Sequence, residues 1–182
     1  MNILFITHDA GFYGASRSLQ LLIRNYHGAT IDMIVHRRLV GRYDIEELRS
    51  RFGGHVRSIR SFHLPLSFCY RGKPERPILL FLYRLGLDLL WRMTRHRLHR
   101  ALKAGSYDAI HINSLALHRV VDDRYPCIVH VREIFDGTDH AAKQSLVAAR
   151  GVIFIDTATR DAFTDILPNL RHLLVLNNPV DM

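Results

Sequence analysis

Strand-like runs punctuate the chain at residues 3–7, 31–36, 55–59, 109–113, 128–131, 152–155 and 173–176. Amphipathic stretches separate them, the clearest at 15–26, 44–52, 77–104, 114–122, 140–149 and 157–167. Apolar runs that do not alternate with polar residues predict strands buried on both faces, and the stretches between them predict covering helices. Crossovers of one hand then give an α/β fold, a doubly wound, Rossmann-like parallel sheet with ligands outside the carboxyl ends of its strands. The last run, Leu173-Leu174-Val175-Leu176, reads as a short buried strand, and Asn177-Asn178-Pro179-Val180-Asp181 then turns the chain onward. The expected organisation is one domain over 1–176 and the start of an interdomain linker at 177–182, with a second domain beyond it absent from the sequence.

One insertion, 61–104, interrupts the alternation. A loop marked by Pro65, Gly72, Pro74 and Pro77 leads into a long helix whose first half, 78–83, is apolar nearly all round. The second half carries Arg92, Arg95, Arg97, Arg100 and Lys103. Helical periodicity puts Arg84, Asp88, Arg92, Arg95, His99 and Lys103 on one side. Two readings follow. Either the apolar stem joins the core and the basic face is merely solvated, or the helix is interfacial. In the second case Arg92, Arg95, Arg100 and Lys103 meet anionic lipid headgroups while Phe81, Leu82, Tyr83 and Trp91 supply apolar contact.

Charge narrows the partners. Among 182 residues, 25 Lys and Arg against 17 Asp and Glu leave a net charge of +8, with twelve His in reserve. That excess favours a phosphate-bearing ligand, an anionic membrane surface or nucleic acid, unless it serves only solubility. Cys69 and Cys127 have no metal-ligand spacing; Cys127 lies in an apolar strand and reads as a small core residue. No signal peptide opens the chain, and no uncharged apolar run approaches the roughly eighteen residues that span a bilayer. A cytoplasmic protein, at most peripheral on the inner face of the membrane, is the expectation.

The candidate chemistry sits at the strand ends. After the first strand comes His8-Asp9-Ala10-Gly11-Phe12-Tyr13-Gly14-Ala15-Ser16, a glycine-bearing turn opening a helix, where free N–H groups and the helix dipole favour an anion. The spacing is not that of the dinucleotide fingerprint. The second strand ends in His36-Arg37-Arg38 rather than an acid, which leaves a 2′-phosphorylated nicotinamide cofactor as a weak rival. The later strands end in His111, Asn113 and Ser114, in His130, Arg132 and Glu133, in Asp156-Thr157, and in Asn177-Asn178. Gathered at one sheet edge, these would line a polar cleft. The plainer alternatives are N-caps at Ser114, Asp156 and Thr157, core histidines, and an Arg132–Glu133 ion pair.

Four of these stretches together resemble the N-terminal half of a family 4 retaining glycosyltransferase of the two-Rossmann-domain GT-B fold. They are Tyr13-Gly14-Ala15-Ser16-Arg17-Ser18-Leu19, Tyr107-Asp108-Ala109-Ile110-His111-Ile112-Asn113-Ser114, Val131-Arg132-Glu133 and Asn178-Pro179-Val180-Asp181. The resemblance implies that Gly14 and Ala15 approach the donor diphosphate and sugar, and that Asn178 belongs to a donor-side hinge into the second domain. It also implies a cleft of His111, Asn113, Ser114, His130 and Glu133, with Arg132 where the family often carries a His facing the donor sugar. The first loop departs from the family's usual Gly-Gly-Ala-Glu in reading Tyr13-Gly14-Ala15-Ser16. The implied function is transfer of a sugar from a nucleotide sugar to a glycan or lipid-linked acceptor in bacterial surface polysaccharide synthesis, without metal or cofactor. Two readings compete: a nucleotide or phosphosugar binding module without chemistry, and a nucleic-acid binder using the basic helix with Tyr83 and Trp91 as stacking platforms. No nucleic-acid motif supports the latter, so no nucleic-acid partner is expected.

Overall fold

The computed structural model describes residues 1–11, 14–53, 56–67, 77–133 and 139–176. All seven expected strands form: β1 (Asn2–Thr7), β2 (Thr30–His36), β3 (Val56–Phe62), β4 (Ala109–Ile112), β5 (Cys127–Val131), β6 (Gly151–Phe154) and β7 (Leu173–Val175). They make one sheet in the order β3-β2-β1-β4-β5-β6-β7, with every pairing parallel. Chain direction across the sheet therefore reverses between β1 and β4, the place where open sheets of this kind leave a crevice.

The helices are α1 (Gly14–Arg24), α2 (Arg37–Val40), α3 (Ile45–Phe52), α4 (Pro77–Gly105), α5 (His140–Ala148) and α6 (Thr157–Asp161). Outside β3, whose pairing with β2 carries a register shift, strand residues divide by parity. Ile3, Phe5, Ile31, Met33 and Val35 pack with Leu19, Ile23, Leu48 and Phe52 on one face. Leu4, Ile6, Ile34, Ile110, Ile112, Val129, Val131 and Phe154 pack with Leu87, Trp91, Leu98, Leu102 and Leu146 on the other. Burying such side chains contributes about 1.5–3 kcal/mol each, so the two layers hold the sheet rigid beneath whatever its edge binds. Cys127 is a free, fully buried core thiol, its pKa pushed up to about 11 by burial.

Several expectations are corrected. The segment at 114–122 is a six-residue 3₁₀ turn, Leu115–Val120, rather than an α-helix; it is short and almost wholly buried against the sheet. The helix expected over 157–167 stops at Asp161 and is followed by a 3₁₀ turn at Leu167–Asn169, with Pro168 in its first turn, where a missing N–H costs nothing. A short helix, α2, follows β2 unannounced, capped by the His36 ring accepting from the Arg38 N–H. β7 is not buried: Leu173 is 41% and Leu174 51% exposed, since β7 is the sheet's edge and pairs only with β6. The expected linker at 177–182, with Asn178, lies outside the described residues, as do Cys69 and His55.

The long helix α4 carries the chain from β3 at one edge, past β2 and β1, to β4. Its inner stripe is Leu87, Trp91, Thr94, Leu98 and Leu102, all buried, and the Thr94 hydroxyl donates to the His63 carbonyl at 3.0 Å. Trp91 is thus a core residue at 5% exposure, and Tyr83 packs half-buried with its hydroxyl donating to the Leu66 carbonyl. Neither forms the exposed aromatic contact expected of them. The opposite, outward stripe is exposed: Ile78, Phe81, Leu82, Leu85, Leu89 and Met93, continued toward the C-terminus by Arg92, His96, Arg100 and Lys103. Arg95 leaves that set, because its guanidinium reaches the buried Asp122 carboxylate at 3.4 Å and donates to the His99 ring. Asp88 on the same flank is held by Arg119. No helix among the described residues is long and apolar enough to cross a membrane.

Candidate functional site

The loop after β1 is organised by Asp9. Its Oδ1 accepts the Ala10 and Gly11 N–H groups at 2.8 and 3.1 Å, and its Oδ2 accepts the Ser16 hydroxyl at 2.5 Å. Gln20 from the next turn of α1 donates to the Gly11 carbonyl at 2.8 Å. One carboxylate therefore already occupies the anion-accepting concavity at residues 10–11, and the loop is clamped to the start of α1. Sequence reasoning assigned Asp9 no role; an acid two residues before a turn glycine, able to close an Asx turn, was the available signal. The helix start at Gly14 lies beyond that clamp. Gly14 has φ +57°, a left-handed backbone, and a Cβ added there would meet nothing within 4 Å. The chain needs glycine here for its conformation, and the space beside it is open.

Across the sheet from that loop, β4 and β5 build two linked groups. In the first, Ser114 and Leu115 donate hydroxyl and backbone N–H to the Glu133 carboxylate, and the Arg132 N–H donates to it at 3.0 Å. The Ser114 oxygen in turn accepts the Ala116 N–H at 3.1 Å, capping the 3₁₀ turn. Glu133 thus ties the ends of β4 and β5 together. Asn113 is buried beside β1, donating its backbone N–H to the Ile6 carbonyl, and its side-chain oxygen has no partner among the described residues.

The second group is a stack. The His111 ring lies 5.0 Å from Phe5 and 5.4 Å, edge-on, from His130; the Arg132 Nη2 is 3.0 Å from the His130 Nδ1. Because a guanidinium only donates, His130 Nδ1 must be the unprotonated nitrogen. Burial, and then the Arg132 charge, depress both imidazoles, His111 to about 3 and His130 to about 2. Both are neutral at ordinary pH. Both rings are buried, at 7% and 3% exposure, beneath the carboxyl edge at which they were expected to face a ligand. Arg132 is lowered to about 10 by burial against the opposing pull of Glu133, so it stays cationic.

The expected residues divide accordingly. Gly14, Ala15, Asn113, Ser114, Arg132 and Glu133 belong to the carboxyl edge of β1, β4 and β5, and His111 and His130 lie beneath it. Arg92, Arg100 and Lys103 stand on the outer stripe of α4, away from that edge's floor. Asp156, suggested as a plain N-cap, is one, accepting the Thr159 N–H at 2.6 Å. No group of His, Cys, Asp or Glu among the described residues is arranged to hold a metal ion.

Neither a protein-family model nor a curated protein matches the sequence. Solved structures do. Arabidopsis thaliana UGT89C1 complexed with UDP-L-rhamnose superposes with a TM-score of 0.60 at 14% identity, over 100% of this chain and 52% of that one. Anabaena Alr3699/HepE in complex with UDP and glucose gives 0.58 at 17% identity, over 100% and 45%. LpCGTa in complex with UDP gives 0.53 at 14%, over 100% and 55%. The chain spans about half the length of these structures. At such identities the likeness establishes the fold alone: a seven-stranded, Rossmann-like parallel sheet.

Proposed function

We propose that this chain is the acceptor-side half of a GT-B glycosyltransferase, moving a sugar from a nucleotide-sugar donor to a glycan or lipid-linked acceptor, in bacterial surface polysaccharide synthesis. The observation that carries the reading is the edge at the β1/β4 reversal. There a left-handed glycine opens α1 at the carboxyl end of β1, with no described atom within 4 Å of a Cβ built on it, and Arg132 stands opposite, just after β5, as a cation braced by His130. Such a pair suits a leaving diphosphate: fixed backbone dipoles and one guanidinium stabilise charge that grows as the sugar departs. UDP in the titles of the structural neighbours adds support for a nucleotide diphosphate as the donor's leaving group.

The reading places a second α/β domain across the cleft, gripping the nucleotide, and Asn178 at its hinge. That the chain covers about half of each neighbour supports this arrangement. It also makes the protein peripheral on the cytoplasmic face of an anionic membrane, where the exposed apolar ridge of α4 and the cations Arg92, Arg100 and Lys103 would rest. The test is release of free nucleotide from a panel of nucleotide sugars. The purified chain should melt cooperatively and turn nothing over, whereas the polypeptide carrying the second domain should transfer. Sustained transfer by the 182-residue chain alone would overturn the half-site arrangement, and inactivity of the two-domain form on every donor would overturn the transferase reading.

A further inference from the structure

An open cavity of about 450 Å³ lies where one flank of α4, between its buried and exposed stripes, passes the carboxyl ends of β2 and β3. Its cationic side is made by Arg37, just after β2, and Arg97 on α4, with His63 after β3 between the two elements. Its apolar side is Phe62, Leu90 and Met93. Among the described residues no carboxylate lines it, and neither Arg37 nor Arg97 forms a salt bridge. This separates them from Arg57, Arg95, Arg119 and Arg124, each of which is paired with an aspartate. The wall is firmly placed: Thr94 ties α4 to the His63 carbonyl, and the His63 ring lies 5.6 Å from the buried His36.

The apolar side does not end at the cavity. Leu90 is 42% and Met93 68% exposed, and Met93 continues into the outward ridge of Leu89, Leu85 and Leu82. A free sugar phosphate would use the guanidiniums and leave that wall wet; a neutral lipid would use the wall and leave two unpaired cations. From this conjunction we propose that the cavity binds a phosphate-bearing lipid, its headgroup between Arg37 and Arg97 and its hydrocarbon tail leaving over Leu90 and Met93 along α4. The two guanidiniums supply planar donors suited to phosphate oxygens, and the ridge keeps the first methylenes out of water. This deepens the transferase reading by naming the acceptor as a lipid phosphate and by placing it at the same carboxyl edge as the β1/β4 cleft.

The experiment reads binding alone, with no donor present, so its failure is separable from failure of the transferase reading. The purified chain is titrated with dodecyl phosphate below its micelle-forming concentration, followed by calorimetry and by fluorescence of Trp91, the only tryptophan. Inorganic phosphate and dodecanol are run alongside. Saturable dodecyl phosphate binding is expected, at least about tenfold tighter than either control, which corresponds to about 1.4 kcal/mol. Arg37→Ala with Arg97→Ala should weaken it about tenfold or more, and Met93→Glu should do the same. All three positions are exposed, and unchanged melting temperatures will show that the fold persists. Equal affinity for inorganic phosphate would reduce the cavity to a free-anion site, and equal affinity for dodecanol would reduce it to a greasy patch. Either result, or full affinity in the double variant, overturns the proposal.

Discussion

Gly14 allows backbone geometry and ligand approach to be told apart in one position. Its φ of +57° costs an ordinary L-residue about 1–2 kcal/mol, while asparagine tolerates the same conformation at a smaller penalty. No atom lies within 4 Å of a Cβ placed there, so neither substitution is opposed by a clash within the described residues. Gly14→Ala should therefore lose about 1–2 kcal/mol of stability, roughly 2–8 °C in melting temperature for a domain of this size, and Gly14→Asn clearly less. Activity should not follow that order. Both variants project a side chain into the space beside the start of α1, where the account puts a diphosphate oxygen. Both should then lose at least about tenfold in kcat/KM, about 1.4 kcal/mol, in the two-domain enzyme. Melting curves and initial rates on the same preparations make the comparison. A Gly14→Asn enzyme with wild-type turnover would show that the glycine serves only the turn, and the donor assignment would fall.

Arg132→Ala should lower kcat/KM by about 10- to 1,000-fold, about 1.4–4 kcal/mol, with Lys restoring only part because a point charge does not reproduce the fork held by His130; unchanged kinetics would contradict this. His111 and His130 are neutral in the fold, at about 3 and about 2, but protonate near 6.5 once unfolded. Stability is thus full above about pH 6.5 and falls as pH drops below it, by about 1.4 kcal/mol per pH unit for each ring, and His111→Leu should flatten that slope in acid denaturation curves. A slope identical to wild type would mean the ring is not held neutral. The chain should co-sediment with anionic but not neutral vesicles, reversibly with salt, each engaged cation contributing about 1 kcal/mol. Removing Arg92, Arg100 and Lys103 should abolish this, and removing Arg95, already engaged by Asp122, should matter far less. Equal recovery on both vesicle types would return the ridge to solvent.

The sheet was legible because a parallel strand buried on both faces leaves an unbroken apolar run, as in residues 3–6 and 152–155, and each of these became a strand. The carboxyl edge was legible because the strands end at polar clusters, as at His36-Arg37-Arg38, Asn113-Ser114 and Arg132-Glu133. Exposure was harder to read. Leu173 and Leu174 look like core, but the sheet's order leaves them at an edge with no neighbour beyond β6. Helical periodicity grouped Arg95 with Arg92, yet what decides their roles is Asp122, which lies 27 residues from Arg95 and meets it only in the folded chain. The histidines pose the same problem. Their positions at strand ends pointed to a cleft, but in the fold both rings are buried, His111 against Phe5 and His130 beside His111 with its Nδ1 on Arg132. Asp9 was hidden because its role is local geometry, an Asx turn folded onto its own loop.

The central claim is that a nucleotide sugar meets this chain at the carboxyl edge of β1, β4 and β5. Amide chemical shifts of the purified chain, followed during titration with UDP-glucose, test it most directly. With only one side of the cleft present, affinity should be weak, about millimolar or some 4 kcal/mol. The account predicts saturable shifts confined to Gly11, Gly14, Ala15, Ser16, Ser114, Arg132 and Glu133, which Arg132→Ala diminishes without changing the rest of the spectrum. Shifts gathered at the amino edge of the sheet, or the same shifts undiminished in Arg132→Ala, would contradict it.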